Sequence, residues 1–228
     1  MAKIKLNIAS AISGKLGGNI YSRNKGGAYV KQWVSPINPN TPAQSLTRQR
    51  FSDLSNDWKG LTQTQRDTWN SAAPNFPIKD RLGETIVLSG QQLYMKFNRN
   101  LQSAGLSPIS VAPAPKVVAN PQFGAVTVAP GAFEVGFTPD PLGAGDYLVI
   151  EATAVKSAGV NFVSRSSFKQ VFVAPAAAVS PADILAEYDA IFGSGSLQTG
   201  SKVFLRMRIV DRTTGIASDS IQNSFVIA

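Results

Sequence analysis

The chain of 228 residues contains no cysteine and no histidine. The absence of cysteine excludes disulfides, thiolate metal ligands and cysteine nucleophiles, and it leaves the redox compartment undetermined. The absence of histidine removes the commonest general base and the commonest metal ligand, so Ser-His and Cys-His catalytic systems are excluded. No apolar run approaches the ~20 residues of a membrane-spanning helix. A pair of carboxylates, as glycosidases use, is the catalytic arrangement that stays open.

Positive charge is concentrated in the first half of the chain. Residues 1–114 carry 14 Lys and Arg against 5 Asp and Glu, a net charge of +9, and residues 115–228 carry 8 against 9, a net charge of −1. A partner of negative potential should therefore meet the first half. The acidic residues of the second half form no recognisable acid pair. We predict that the protein is not an enzyme and needs no cofactor or metal.

The first half predicts a β-hairpin followed by helices. NIYSR and AYVKQWV flank NKGG, whose Asn and Gly tolerate the positive φ of tight turns. Prolines 36, 39 and 42 then favour extended backbone. Three helices should follow, with N-caps at Thr41, Thr62 and Ser89. We expect Trp58 and Trp69 to pack together as the apolar clasp between the first two helices.

The second half changes to the alternating pattern of strands. Several short runs such as DYLVIEATAV and SKVFLRMRIVDRTTG, separated by turn residues, predict an antiparallel β-sandwich of immunoglobulin or fibronectin III type. VSPADILAEYDAIFGSG predicts one inserted helix that is capped by Ser180 and begins at Pro181. The fold class is therefore α+β. It comprises an N-terminal β-hairpin arm with a small helical docking domain (residues 1–113) and a sandwich domain (residues 114–228).

Two kinds of phosphate contact are conceivable for the Gly-rich basic stretch. SGKLGGN lacks the spacing of a P-loop and precedes a strand, so an ordinary turn is favoured. Basic residues interleaved with aromatics could instead bind nucleic acid. The second helix carries one cation only, which is little for reading a DNA groove. Docking on an acidic protein surface is favoured over nucleic acid, and a secreted adhesion or carbohydrate-binding module is a third alternative.

The first half also resembles a known family. The residues GGNIYSRNKGGAYVKQWVSPINPNTPAQSLTRQRFSDLSNDWKGLTQTQRDTW, followed by LSGQQLYMKFNRNLQSAGL, are similar to proteins encoded by tailed phages and prophages. The most specific part comprises residues 38–44 with Arg48 and residues 58–69. The resemblance implies a structural role in the virion, with no catalytic residue. The expected partners are capsid or neck/tail subunits, with homo-oligomerisation as a further option and no membrane. The protein would be made in the host cytoplasm and end in the virion.

This resemblance gives the basic stretch a function. A Gly-rich hairpin and a proline-locked segment present backbone groups that another chain can pair with, and proline lowers the entropy lost on binding. We therefore predict an assembly arm on the basic half and an outward-facing sandwich. The residues predicted to bind partner subunits are Tyr21, Arg23, Lys25, Tyr29, Lys31, Trp33, Asn38, Pro39, Pro42, Arg48 and Arg50.

Overall fold

The computed structural model describes residues 2–3, 12–24, 27–80 and 82–228. Within these residues it contains four α-helices and several antiparallel sheets. The α+β class predicted from the sequence is therefore confirmed.

An antiparallel sheet opens the chain. Its strands are β1 (Ala2–Lys3), β2 (Gly14–Leu16), β3 (Asn19–Asn24) and β4 (Gly27–Gln32). They lie side by side in the order β1-β4-β3-β2. The predicted hairpin is confirmed, because β3 and β4 pair along their whole length from Asn19 with Gln32 to Asn24 with Gly27. Its turn residues Lys25 and Gly26 lie outside the described residues.

Three helices follow the sheet, and polar caps fix where each begins. They are α1 (Pro42–Gly60), α2 (Gln63–Ala72) and α3 (Gly90–Ser103). The hydroxyls of Thr41, Thr62 and Ser89 each accept a hydrogen bond from the backbone N–H three residues later, as predicted. A 3-10 turn (Ala73–Asn75) and a short hairpin of β5 (Ile78–Lys79) and β6 (Thr85–Ile86) connect α2 to α3.

The three helices share one apolar core, and its centre differs from the predicted clasp. The ring of Tyr94 from α3 lies 5.3 Å, between centroids, from both Trp58 and Trp69. Trp69 is fully buried, whereas Trp58 is only partly buried. The two tryptophans therefore meet a third aromatic ring that the helical-hairpin pattern did not reveal.

The second half consists of two antiparallel sheets around one buried core. Its strands are β7 (Gln122–Ala129), β8 (Ala132–Thr138), β9 (Asp146–Ala152), β10 (Lys169–Ala174), β11 (Ala182–Asp183), β12 (Lys202–Asp211) and β13 (Ile221–Val226). One sheet has the order β11-β8-β7 and the other has the order β10-β9-β12-β13. A single buried cluster takes side chains from both sheets, for example Phe133 and Val135 from the first and Ile150 and Leu205 from the second.

The helix of the second half, α4 (Leu185–Phe192), begins later than predicted. Pro181 was expected to open it, with Ser180 as the cap. Instead, β11 pairs with β8, and the Ser180 hydroxyl accepts the N–H of Phe137 on the same strand β8. Because sheet pairing uses these groups, the helix can begin only after β11 has ended.

The helical core rests on the outer face of the four-stranded sheet. Ala104 at the end of α3 packs with the buried Val149 and Val210. Nδ2 of Asn100 donates to the carbonyl of Gly215 over 2.9 Å, and Nε2 of Gln170 donates to the carbonyl of Ser103 over 2.6 Å. A domain boundary at residues 113–114 stays a prediction, and the two cores that flank it touch through α3.

The segment between the two cores is held at several points. Nε1 of Trp69 donates to the carbonyl of Ser110 over 2.9 Å, and the side chain of Asn98 bonds both backbone groups of Ile109. Further on, Lys116 forms an ion pair with Asp211. The segment therefore follows a defined path from the helices to the sheets.

Candidate assembly surface

The register of the N-terminal sheet distributes the predicted partner-binding residues over two faces. Directly opposed residues in an antiparallel pair point to the same side. Tyr21 opposes Val30, and Tyr29 opposes Ser22, so the two tyrosines lie on opposite faces. Arg23 shares the face of Tyr21, and Lys31 shares the face of Tyr29. The basic and aromatic residues that alternate in sequence therefore form two separate sets.

The face of Tyr29 and Lys31 also carries Lys15 from β2, which opposes Ile20. The ammonium nitrogen of Lys15 lies 4.3 Å from the centroid of the Trp33 ring, and the backbone N–H of Trp33 donates to the carbonyl of Gly18 over 2.8 Å. A cation over an indole ring is a favourable contact. This face thus brings together two lysines and two aromatic rings, and we call it the basic-aromatic face.

Several apolar side chains of the N-terminal sheet and of the segment after β4 meet solvent. Trp33 is 54% exposed and Ile37 is 91% exposed, and Leu16 and Val34 are also exposed. Tyr21 and Tyr29 are half-buried. The sequence indicated the exposed tryptophan, but it did not single out Leu16, Val34 or Ile37. Trp33 adds exposed apolar area to the basic-aromatic face, and such area is typical of a surface that another molecule covers.

Asn38 and Arg48, two of the residues predicted to bind partner subunits, bind each other. Nη2 of Arg48 donates to Oδ1 of Asn38 over 2.6 Å, and Nη1 of Arg48 donates to Oδ1 of Asn40 over 3.2 Å. Asn40 has a φ of 52°, a left-handed conformation that asparagine tolerates better than most residues. Thr41 then caps α1, and Pro42 occupies its first turn. Arg48 therefore fixes the direction in which the chain enters the helix.

Two predicted residues remain: Pro39 is exposed in the segment before α1, and Arg50 belongs to another part of the surface. It is half-buried and lies close enough to Arg99 of α3 to lower the pKa of Arg99 by charge repulsion. Arg66, the one cation of α2, donates to the backbone carbonyls of Trp58 and Lys59 at the end of α1. Because its guanidinium completes the end of α1, it is not displayed for reading a DNA groove.

The carboxylate of Asp211 stabilises the turn that follows β12. Burial raises the pKa of Asp211, but hydrogen bonds from Lys116, Thr213 and Thr214 outweigh burial and lower it to about 2. Oδ1 accepts the backbone N–H and the hydroxyl of both threonines over 2.7–3.0 Å. These bonds stabilise the turn after β12, and they leave the carboxylate permanently charged at neutral pH.

The described residues contain neither a candidate metal site nor a membrane-spanning helix. No group of three potential ligands among these residues is arranged to hold a metal ion. No helix in this part of the chain combines the length and the hydropathy needed to cross a membrane. No protein-family model matches the chain, and no curated protein is significantly similar to it.

Proposed function

We propose that the protein is a non-enzymatic structural subunit of a tailed-phage virion. It docks on capsid or neck/tail subunits through its N-terminal residues, in an auxiliary capsid or head-tail connector role. The observation that carries the proposal is the basic-aromatic face with its exposed Trp33, followed along the chain by the exposed Val34 and Ile37. Covering such groups with an acidic, partly apolar partner surface is favourable in both apolar burial and charge.

The geometry of the segment between β4 and α1 supports this role. The network of Arg48 with Asn38 and Asn40 ties the segment before α1 to the helix. A segment whose direction is already fixed loses less conformational entropy when it binds. The exposed Ile37 precedes this network directly, so a partner that binds it would also be oriented relative to α1.

The strand order of the second half supports the finer fold assignment within this proposal, a sandwich of fibronectin III type. Numbered in chain order, the first, second and fifth of its seven strands form one sheet, and the third, fourth, sixth and seventh form the other. This is the division of strands found in fibronectin III domains. In the proposed virion this module faces outward, since the docking residues lie in the first half.

The test is deletion of residues 19–40, which removes β3, β4 and the exposed Trp33 and Ile37. We expect the rest of the chain to fold and its incorporation into particles to be lost, measured by mass spectrometry of purified virions. A double variant, Trp33→Ala with Ile37→Ser, should lower incorporation without deleting backbone. Phe162→Ser is the matched control, because Phe162 is 81% exposed but lies in the second half. Unchanged incorporation of the deletion protein would refute the proposal.

A DNA-associated protein is the second candidate, and the basic-aromatic face is the observation that favours it. Lys15 and Lys31 could neutralise phosphates while Tyr29 and Trp33 stack on bases. Affinity for single-stranded DNA measured at several salt concentrations separates the two candidates. A phosphate binder loses affinity steeply as salt rises: for single strands, the logarithm of the binding constant falls with the logarithm of the salt concentration with a slope of roughly 0.7 per neutralised phosphate. No measurable DNA affinity at low salt would exclude this candidate.

A further inference from the structure

A groove runs between α1 and α3. Its volume is about 390 Å³, and its floor contains Phe51, Leu54 and Met95. Leu54 is buried, but Phe51 is 63% exposed although it lies on the apolar stripe of α1. The remaining lining residues are Thr47, Gln92, Lys96, Arg99 and Asn100. An exposed phenylalanine beside a hollow is the kind of feature that a bound apolar side chain covers.

The charge of the groove has one sign. Among its lining residues, all within the described ranges, Lys96 and Arg99 are cationic and none is acidic. Arg50 and Arg208 lie close enough to Arg99 that both act electrostatically on it, so further positive charge adjoins that end. The nearby carboxylate of Glu151 is engaged by Arg206 and lies 3.8 Å from Arg208. The positive potential at the Arg99 end is therefore only partly balanced.

The surrounding positive charge and burial act on the guanidinium of Arg99. Burial lowers its pKa, and repulsion from Arg50 and Arg208 lowers it further. Within the described part of the chain, its buried Nη1 has no hydrogen-bond partner. A carboxylate brought to this end of the groove would offset the repulsion, since charge-assisted hydrogen bonds to guanidinium are among the stronger ones in proteins.

We propose that this groove binds an acidic amphipathic segment of a partner protein. An apolar side chain of the segment contacts Phe51, Leu54 and Met95, and flanking carboxylates face Lys96 and Arg99. A helix laid in an apolar groove is a recurring mode of peptide recognition. Methionine and leucine on the floor favour an apolar side chain over a stacked base, which prefers flat aromatic platforms. This site is independent of the N-terminal surface on which the proposed virion role rests.

The test uses the whole chain and three labelled peptides of about 15 residues, the length at which isolated helices begin to form. The first has a leucine stripe flanked by glutamates. The second replaces the stripe with serine, and the third replaces the glutamates with lysine. Fluorescence anisotropy should show binding of the first peptide at least about tenfold tighter than either control peptide, since both the apolar anchor and the charge contribute.

Two groove variants and two matched controls locate the site. Phe51→Ser and Lys96→Glu should each weaken binding of the acidic peptide about tenfold, the usual scale for losing a central contact. Both residues are exposed, so both variants should fold. Phe162→Ser and Lys59→Glu change a more exposed phenylalanine and an exposed cation outside the groove, and binding should be unchanged. Lys96→Glu should also gain affinity for the lysine-flanked peptide.

A measurement on the unsubstituted protein makes the test independent of the variants. With labelled methionine methyl groups, the NMR signal of Met95 in the groove should shift on addition of the acidic peptide. Met207, fully buried in the sheet core, is the internal control and should not shift. No binding at millimolar peptide, or equal binding of all three peptides, would overturn the proposal. Self-association that Phe51→Ser abolishes, without peptide binding, would assign the groove to a second copy and also overturn it.

Discussion

At the scale of single residues, Asp211 shows how a buried charge can contribute to stability. Its side chain is almost fully buried, and four donors from Thr213 and Thr214 converge on one of its oxygens while Lys116 binds the other. The ion pair joins the segment between the two cores to the end of β12. Half of the Lys116 side chain is exposed, so solvent screens its share of the effect, and the bonds from Thr213 and Thr214 supply the rest.

The lowered pKa of Asp211 predicts how stability depends on pH. Because the folded protein holds this pKa at about 2, below the unfolded value of 3.8, the unfolded chain binds the proton more tightly. The contribution, about 2 kcal/mol, is complete above about pH 5 and is lost progressively as the pH falls through 2. Urea unfolding between pH 6 and about pH 2 should show this loss. Asp211→Asn should be less stable at neutral pH and lack this part of the pH dependence; an unchanged profile would contradict the assignment.

Single residues also show what the sequence could reveal. Thr41, Thr62 and Ser89 were recognised as caps because a cap depends on a local hydrogen bond to a residue three positions away. The contact of Trp58 and Trp69 with Tyr94 was missed because it depends on how α3 packs against the other two helices. The bonds of Arg48 to Asn38 and Asn40 were missed for a similar reason, since they span ten and eight residues, respectively.

At the scale of elements, the contact of α3 with the second half depends on Gly215. This residue has a φ of 69°, and a Cβ built on it would lie 2.6 Å from the carbonyl oxygen of Phe97. The turn after β12 therefore approaches the backbone of α3 more closely than any side chain would permit. Asn100 reinforces the approach by donating to the Gly215 carbonyl.

Gly215→Ala tests this close approach, and Gly200→Ala is its control. Gly200 has a similar φ of 81°, but a Cβ there would meet nothing within 4 Å. Both substitutions should cost about 1–2 kcal/mol of unfolding free energy through backbone strain. Gly215→Ala should cost more, because α3 must move away from the turn. Urea unfolding of both variants measures the difference. Equal losses would show that the close approach contributes nothing.

The sequence predicted the elements whose residues interact with near neighbours along the chain. It did not predict the elements whose bounds depend on pairing with a distant strand. The hairpin of β3 and β4 follows from its turn residues and alternation, and its partners are adjacent in sequence. The predicted start of α4 at Pro181 was wrong because β11 pairs with β8, which lies more than forty residues away in sequence. Local capping chemistry at Ser180 could not reveal that its hydroxyl is used by a distant strand.

At the scale of the whole molecule, the sequence divides the charge more sharply than the structure does. Counting residues gives a basic first half and a nearly neutral second half. The fold places Arg208 of the second half beside Arg99 of the first, so positive charge continues across the contact of the two cores. Composition alone could not predict this continuity, because it depends on which face of the sheet α3 covers.

The end of α3 covers part of the outer face of the four-stranded sheet, and this contact leads to a prediction for residues 115–228 expressed alone. The fragment keeps the whole cluster between the two sheets, so it should fold as a monomer with the far-UV circular dichroism of a β protein. A disordered or mainly helical spectrum would refute the two-domain reading. The fragment loses Ala104 and Leu106, however, and so exposes Val149 and Val210. Its stability should therefore be lower than that of the same residues in the whole chain.

The substitution Val149→Thr tests whether the fragment is less stable because α3 no longer covers Val149, or because of other effects of the truncation. In the whole chain the new hydroxyl is buried beneath the end of α3, where an unpaired polar group costs about 1–3 kcal/mol. In the fragment the same hydroxyl meets water, and threonine is a good strand residue, so the cost should be small. Urea unfolding of the whole chain and the fragment, each with Val149 and with Val149→Thr, gives four unfolding free energies. Their double difference measures how much the cost of the substitution depends on the cover by α3. If Val149→Thr destabilises both proteins equally, α3 does not cover this face in solution.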